Sequence, residues 1–161
     1  MLDKTGIALK EQILSRFPKK ELLVKAKAII ECYQDIPCNP CQTSCPFGAI
    51  YIGDDINQQP KLIVEKCTGC GICVTSCPGL AIMLAKTERE KAVFKIPYEF
   101  LPVPKVGENW YAVNRSGEII GDAFIEMVQN IPRQDKTVLV TVSTKIDYLY
   151  DFVTIRSRDH E

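Results

Sequence analysis

Cys67-Thr-Gly-Cys70-Gly-Ile-Cys73-Val-Thr-Ser-Cys77-Pro78 is the stretch on which the fold of this chain turns. Thiolates separated by two residues reach three corners of one iron–sulfur cubane from a single loop, and a fourth cysteine followed by proline opens the next segment. A shorter copy stands upstream, Cys38-Asn-Pro-Cys41-Gln-Thr-Ser-Cys45-Pro46, and Cys32 before it completes a second set of four. All eight cysteines are then accounted for. The spacing predicts two [4Fe–4S] clusters and one-electron chemistry.

The copies keep one constant offset from their second cysteine onward: Cys38 with Cys70, Cys41 with Cys73, Cys45 with Cys77, Ala49-Ile50 with Ala81-Ile82. Each opens on an apolar, β-prone run, Lys27-Ala-Ile-Ile-Glu31 and Lys61-Leu-Ile-Val-Glu65. The expected unit is a strand, a cluster loop, then Cys-Pro and a short helix. The repeat breaks at its first ligand. Counting back from Cys38 by the motif's spacing lands on Asp35, whereas the cysteine lies at Cys32 and leaves a five-residue gap. Either Cys32 binds iron and the chain bulges through Tyr33–Pro37, or Asp35 coordinates through oxygen and Cys32 is a buried free thiol. Cys32 is preferred, because it ends its strand as Cys67 does and thiolate suits iron–sulfur chemistry better than a hard oxygen donor.

At 161 residues the chain has room for one domain or two small ones. Metal binding is expected to supply folding energy that a cluster unit this short cannot gain from packing. Four disulfides would also use the cysteines, but the N-terminal Met-Leu-Asp-Lys-Thr-Gly has no apolar signal core and no stretch reaches membrane-spanning length. The expected setting is a reducing cytoplasm with no membrane. Zinc is the serious competitor, since Cys38-x2-Cys41 and Cys67-x2-Cys70 resemble a zinc ribbon. It leaves unexplained the third cysteine of each group and both Cys-Pro endings. With 20 basic and 20 acidic residues the chain is formally neutral. It lacks the acidic bias that steers small diffusible carriers to basic docking sites, and it suits a subunit held in a complex. No basic run points to nucleic acid, and no Gly-x-Gly-x-x-Gly points to bound FAD or NAD. His160, the only histidine, is expected to be solvated and inert.

The expected class is α+β in three parts: an N-terminal helical segment (1–26), the duplicated cluster-binding unit (27–90) and a small all-β barrel or sandwich (91–161). Residues 5–27 read as helical, with Ile7, Leu9, Ile13, Leu14 and Phe17 on one face and an interruption at Pro18. Strands are expected at Asn109–Val113, Glu118–Val128, Thr137–Val142 and Phe152–Ile155, with a turn at Arg115-Ser-Gly117. Tyr98, Phe100, Leu101 and Trp110 are candidate partner-docking residues, although each has core packing as an alternative. Prolines at 97, 102 and 104 are expected to keep Tyr98–Leu101 out of any central strand. The cluster unit is expected to be complete by about Lys86.

Residues 27–86 resemble two-cluster bacterial-type ferredoxins. The first-site variant Glu31-Cys32 … Ile36-Pro-Cys-Asn-Pro-Cys41 … Cys45-Pro46 resembles the small ferredoxin-like subunits of heteromeric FAD-dependent dehydrogenases of amino acids and amines, the proline, hydroxyproline and opine group. Ile96-Pro-Tyr-Glu-Phe-Leu-Pro, Asn114-Arg-Ser-Gly-Glu and Asp135–Val142 are similar to their tails. The resemblance implies crossed ligation: Cys32, Cys38, Cys41 and Cys77 for cluster one, and Cys67, Cys70, Cys73 and Cys45 for cluster two. It implies no catalytic residue here and a hetero-oligomer, in which the FAD belongs to a partner dehydrogenase subunit. Electrons then pass to an acceptor or a further electron-carrier subunit. A stand-alone ferredoxin with an accessory β domain and a structural zinc-binding adaptor are the alternatives.

Overall fold

The structure is a computed structural model that describes residues 2–160; the His160 side chain, and the expectation attached to it, lie outside what is described. Strands β1 (Lys27–Ile30) and β4 (Ile82–Glu88) pair antiparallel, with Ile29 opposite Met83. Ala28–Ile30 and Ile82–Ala85 within them are continuous apolar runs because both of their faces are covered. Successive side chains of a strand point to opposite sides. Ile29, Met83 and Ala85 therefore enter one core, while Ala28, Ile30, Ile82 and Leu84 enter another that contains Cys41 and Cys73.

The second core is roofed by the two cysteine loops. Helix α2 (Pro40–Ser44) and helix α3 (Ile72–Ser76) occupy equivalent places in the repeat, and β2 (Ile50–Tyr51) pairs with β3 (Lys61–Leu62) beside them. The helical turn thus precedes each Cys-Pro and a strand follows it, the reverse of the expected order. Proline disfavours the α region for the residue before it. Cys45 (ψ 110°) and Cys77 (ψ 114°) are accordingly extended and end their helices. The run expected as a strand over Lys61–Glu65 pairs only at Lys61–Leu62 and then forms a 3-10 turn at Val64–Lys66.

Strands β6 (Asn109–Asn114), β7 (Ile119–Gln129), β8 (Val138–Lys145) and β9 (Phe152–Arg156) occupy the four stretches expected as strands, and β5 (Lys91–Tyr98) is an additional strand before them. They do not stand apart. One seven-stranded sheet runs β1-β4-β5-β8-β7-β6-β9. The boundary expected at residue 90 falls in the tight β4–β5 turn, across which Glu88 faces Lys91 and Leu84 faces Lys95. Phe94 and Phe152 stack at 4.4 Å in the core that Ile29 and Met83 also enter. Pro97 is a further correction, since β5 is central and Pro97 lies opposite Leu139 of β8. The proline is tolerated because β4 pairing has already ended at Lys95, leaving β8 as the only neighbour.

The N-terminal segment is less helical than expected. Helix α1 spans only Lys10–Arg16, and a 3-10 turn covers Lys20–Val24. Gly6 takes φ +78°, and Asp3 accepts hydrogen bonds from the Thr5 and Ile7 amides, so that turn chemistry displaces helix there. Ile13 and Leu23 are buried, whereas Leu9, Leu14 and Leu22 stay exposed. Among the described residues no helix is long and apolar enough to cross a membrane.

Candidate metal centres

None of the eight cysteines is in a disulfide, and they separate into two groups around two cavities. Cys32, Cys38, Cys41 and Cys77 line one cavity of ≈ 520 Å³. Cys45, Cys67, Cys70 and Cys73 line a narrower one, closed down by Phe47, Ile50 and Leu84. Each cavity therefore takes three cysteines from one copy of the repeat and one Cys-Pro cysteine from the other. Among the described residues no group of three or more His, Cys, Asp or Glu side chains converges as one ion requires. Rings of thiols around a space suit a multi-atom cluster better than a single tetrahedral zinc.

Backbone geometry prepares the sulfurs. The Cys45 carbonyl accepts from Gly48 N (3.4 Å) and its Sγ from Ala49 N (3.3 Å). Leu80 N (3.2 Å) and Ala81 N (3.4 Å) repeat this pattern on Cys77. Each turn ends on a left-handed fourth residue, which is Gly48 (φ +60°) in one copy and, against its preference, Leu80 (φ +51°) in the other. In the second loop a Cβ on Gly69 would meet the Ala26 carbonyl oxygen at 2.5 Å, so only glycine allows the loop to close on β1 there. Ala28 N, at the start of that strand, donates to Cys67 Sγ at 3.4 Å.

Burial acts on the Cys73, Cys41 and Cys32 thiols. It pushes Cys73 up to about 12, with the Cys67 and Cys70 charges adding to the shift, and Cys41 up to about 11, with Cys77 adding. Cys32 is raised by burial and by Cys77, against a lowering by Arg16. These groups are neutral thiols near pH 7, and iron must displace their protons on binding.

The five-residue gap is held by residues with no motif of their own. Arg16 of α1 donates to the Cys32 carbonyl and, through its other terminal nitrogen, to the Pro60 carbonyl, both at 3.0 Å. Gln59, which also accepts from Arg16, donates to the Tyr33 carbonyl (2.9 Å) and to Asp35 Oδ1 (3.0 Å). Lys27 Nζ plays the matching part in the second copy, donating to the Cys67 carbonyl at 2.7 Å. Asp35 is exposed and lies outside the cysteine-lined cavities, among Asp55, Asn57 and Lys61. Glu31 is held by Arg115, whose Nε donates at 2.8 Å and whose Nη1 donates to the Tyr150 carbonyl at 2.7 Å. Sequence reasoning gave Arg16, Gln59, Lys27 and Arg115 no part at the metal centres, because a lone basic residue or glutamine carries no local signal. Arg16→Ala removes hydrogen bonds of a charged donor worth about 1.5–3 kcal/mol each. Iron at the first site is expected to pass to a chelator at least tenfold faster than in the parent chain, with Arg16→Lys intermediate, as followed by chelator absorbance.

The docking candidates divide. Tyr98 (6 % exposed) and Trp110 (4 %) belong to the main core and meet edge to face at 5.8 Å, so neither is a surface anchor. Their strands point them inward in step with Ile96 and Ala112. Phe100 (68 %) and Leu101 (82 %) stand out in solvent past the end of β5.

Residues 29–79 match the 4Fe-4S dicluster domain family. The PorD component of pyruvate synthase from Methanothermobacter marburgensis is 31% identical over 90 residues, which are 56% of this chain and 100% of that protein. The chain belongs to the two-cluster 4Fe-4S ferredoxin family. Residues 29–79 are thus an iron–sulfur cluster-binding domain. Over 55 residues, 34% of this chain, it is also 46% identical to one component of the Na(+)-translocating ferredoxin:NAD(+) oxidoreductase complex of Acetobacterium woodii. Over 75 residues, 47% of this chain, it is 39% identical to one component of the ion-translocating oxidoreductase complex of Methanosarcina acetivorans. The matched stretches span only 16% and 26% of those two proteins. No solved structure matches.

Proposed function

We propose that this chain is the electron-transfer subunit of a hetero-oligomeric oxidoreductase, relaying single electrons through two [4Fe–4S] clusters. The donor is the reduced FAD of a partner dehydrogenase of amines or amino acids, and the recipient is an acceptor or a further carrier subunit. Cys32, Cys38, Cys41 and Cys77 hold one cluster; Cys67, Cys70, Cys73 and Cys45 hold the other. When bound, each cluster accepts and releases one electron at a time. The chain's own residues fix the thiolates, supply backbone N–H donors to them and exclude water.

The observation that carries this reading is the sorting of the cysteines into two adjoining cavities. Cys41 on α2 and Cys73 on α3 are both buried and belong to one apolar core. Two such centres in one protein interior suit a relay better than a structural metal. A place in a fixed complex draws support from the relatives, whose names make them components of larger oxidoreductases. The flavin-bearing partner rests on the resemblance of the first-site variant, Glu31 to Pro46, and of the tail stretches at 96–102, 114–118 and 135–142.

The same segment provides the docking surface. Phe100 and Leu101 follow the Pro97–Leu139 pair, and Leu139 belongs to the apolar set around the second cavity, where it packs against Gly71. A partner seated there would meet the cluster whose Cys70 is the exposed ligand. Hot-spot truncations cost about 2 kcal/mol or more, and 1.4 kcal/mol is tenfold in affinity. The double variant Phe100→Asp/Leu101→Asp is therefore expected to keep its iron and visible spectrum while binding the flavoprotein at least tenfold more weakly, as read by calorimetry. Trp110→Ala should instead unfold at lower denaturant, by about 3–5 kcal/mol. Unchanged affinity in the double variant would remove the docking assignment. Failure of the native protein to co-purify with any flavoprotein would remove the partner.

A further inference from the structure

Two cations that the repeat does not relate reach the same atom of each cysteine set. Arg16 Nη2 donates at 3.0 Å to the carbonyl of Cys32, the first cysteine of one set. Lys27 Nζ donates at 2.7 Å to the carbonyl of Cys67, the first cysteine of the other. Each also holds a second carbonyl at 3.0 Å, Pro60 for Arg16 and Val64 for Lys27. Duplication does not account for this match. The repeat's counterpart of Lys27 is Lys61, which is exposed beside Asp35 and Asp55, and Arg16 belongs to α1, outside the repeat.

Neither cation has a carboxylate. Both residues are half-buried, and among the described residues neither joins an ion pair. The remaining contacts of Arg16 are uncharged, the Gln59 side-chain oxygen and the Tyr33 ring, whose centroid lies 5.2 Å away. Half-buried Arg115 and Glu31 follow the ordinary rule and pair with each other. Withdrawing a charge from water is costly unless an opposite charge answers it, and a carbonyl supplies only a partial one. The missing negative charge is that of a centre bound beside each loop. Thiolate ligands make such a centre anionic, and reduction adds one more negative charge. A fixed cation next to a ligand therefore favours the reduced state, and the potential of a cluster follows the charge around it. Protein between cation and centre screens this attraction less than water would.

We propose that Arg16 and Lys27 are positioning residues that serve as built-in counter-cations, each raising the reduction potential of the centre whose first cysteine it holds. The proposal rests on the assignment of a [4Fe–4S] cluster to each cavity. Lys27→Gln removes the charge and keeps an amide donor, whereas Lys27→Arg keeps the charge. In EPR-monitored redox titrations of the full reconstituted chain, parent and variants should all carry about eight irons. At a fixed potential the oxidised-to-reduced ratio of the second cluster should rise roughly tenfold in Lys27→Gln, a midpoint about 59 mV lower for one electron. Lys27→Arg should match the parent, and the first cluster should move clearly less. Arg16→Gln should give the mirror image, with the larger shift on the first cluster. Comparison with Cys32→Ser assigns the signals. Unmoved potentials in both glutamine variants, an equal shift in Lys27→Arg, or a larger shift on the other cluster would each overturn the counter-cation role. Loss of the second cluster from Lys27→Gln would do the same, leaving Lys27 a mere prop for the loop. A parent chain that takes up no iron–sulfur cluster overturns the assignment of the cavities instead.

Discussion

A chain cut after Lys86 is expected to lose most of its bound iron and to aggregate, rather than to persist as a self-sufficient cluster unit. The cysteine motifs end well before that point, and the sequence invites the opposite expectation. The sheet contradicts it. Strand β4 is paired with β5 from Leu84 to Glu88, and deleting β5 leaves β4 as an edge. Leu23, Ile29 and Met83 are buried in a core made mainly of side chains from Ala92 onward. Exposing three large apolar side chains costs about 1.5–3 kcal/mol each. That is comparable with the ~5–15 kcal/mol net stability of a whole domain. The cut also removes Arg115, and Glu31 beside Cys32 is left as an uncompensated, largely buried carboxylate. Breaking such a pair costs about 3–5 kcal/mol. Iron and acid-labile sulfide per chain, measured with far-UV circular dichroism, decide the matter. A truncated protein that is folded and fully loaded would show that the C-terminal strands merely adjoin the cluster unit.

Cys32→Ser is expected to lose one cluster, while Asp35→Ala keeps both. The loaded parent should hold about eight irons and Cys32→Ser about four. Cys32 lies on the wall of the first cavity with three other thiols. Asp35 points elsewhere, and its Oδ1 accepts from Gln59. Removing the Asp35 carboxylate therefore loosens one hydrogen bond of the gap, worth about 1 kcal/mol, and leaves the thiols where they are. EPR of the reduced variants distinguishes the outcomes, because each remaining cluster gives its own signal and the coupling between two reduced clusters vanishes when one is absent. The reverse pattern, with Asp35→Ala losing a cluster, would hand the ligand role to the carboxylate.

The cysteine spacing was legible without any structure because its meaning is local. Thiols two residues apart on one loop are neighbours whatever the remainder of the chain does, and Pro46 and Pro78 end their helices by a steric effect on the preceding residue. The strands β6 to β9 were legible from their β-branched and alternating residues, although β8 is buried on both faces up to Lys145. The order in which they pair was not. β1 and β4 have apolar residues on both faces, and such a run does not say which neighbours cover it.

Tyr98 and Phe100 show the same limit at single residues. They are two positions apart in one Pro-flanked stretch, yet Tyr98 is in the core and Phe100 in solvent, because β5 ends between them. Alternation would have placed both on one face; only the end of the β8 pairing at Val138 separates them.

The sequence alone set out two groups of four cysteines and the iron–sulfur domain they mark, because that information lies in gaps of a few residues. The tertiary structure alone decided what supports it. Arg16 reaches Cys32, Gln59 reaches Tyr33 and Arg115 reaches Glu31 across long stretches of chain. These contacts join side chains that share no periodicity, and they exist only because one sheet brings the two cores together on β1 and β4.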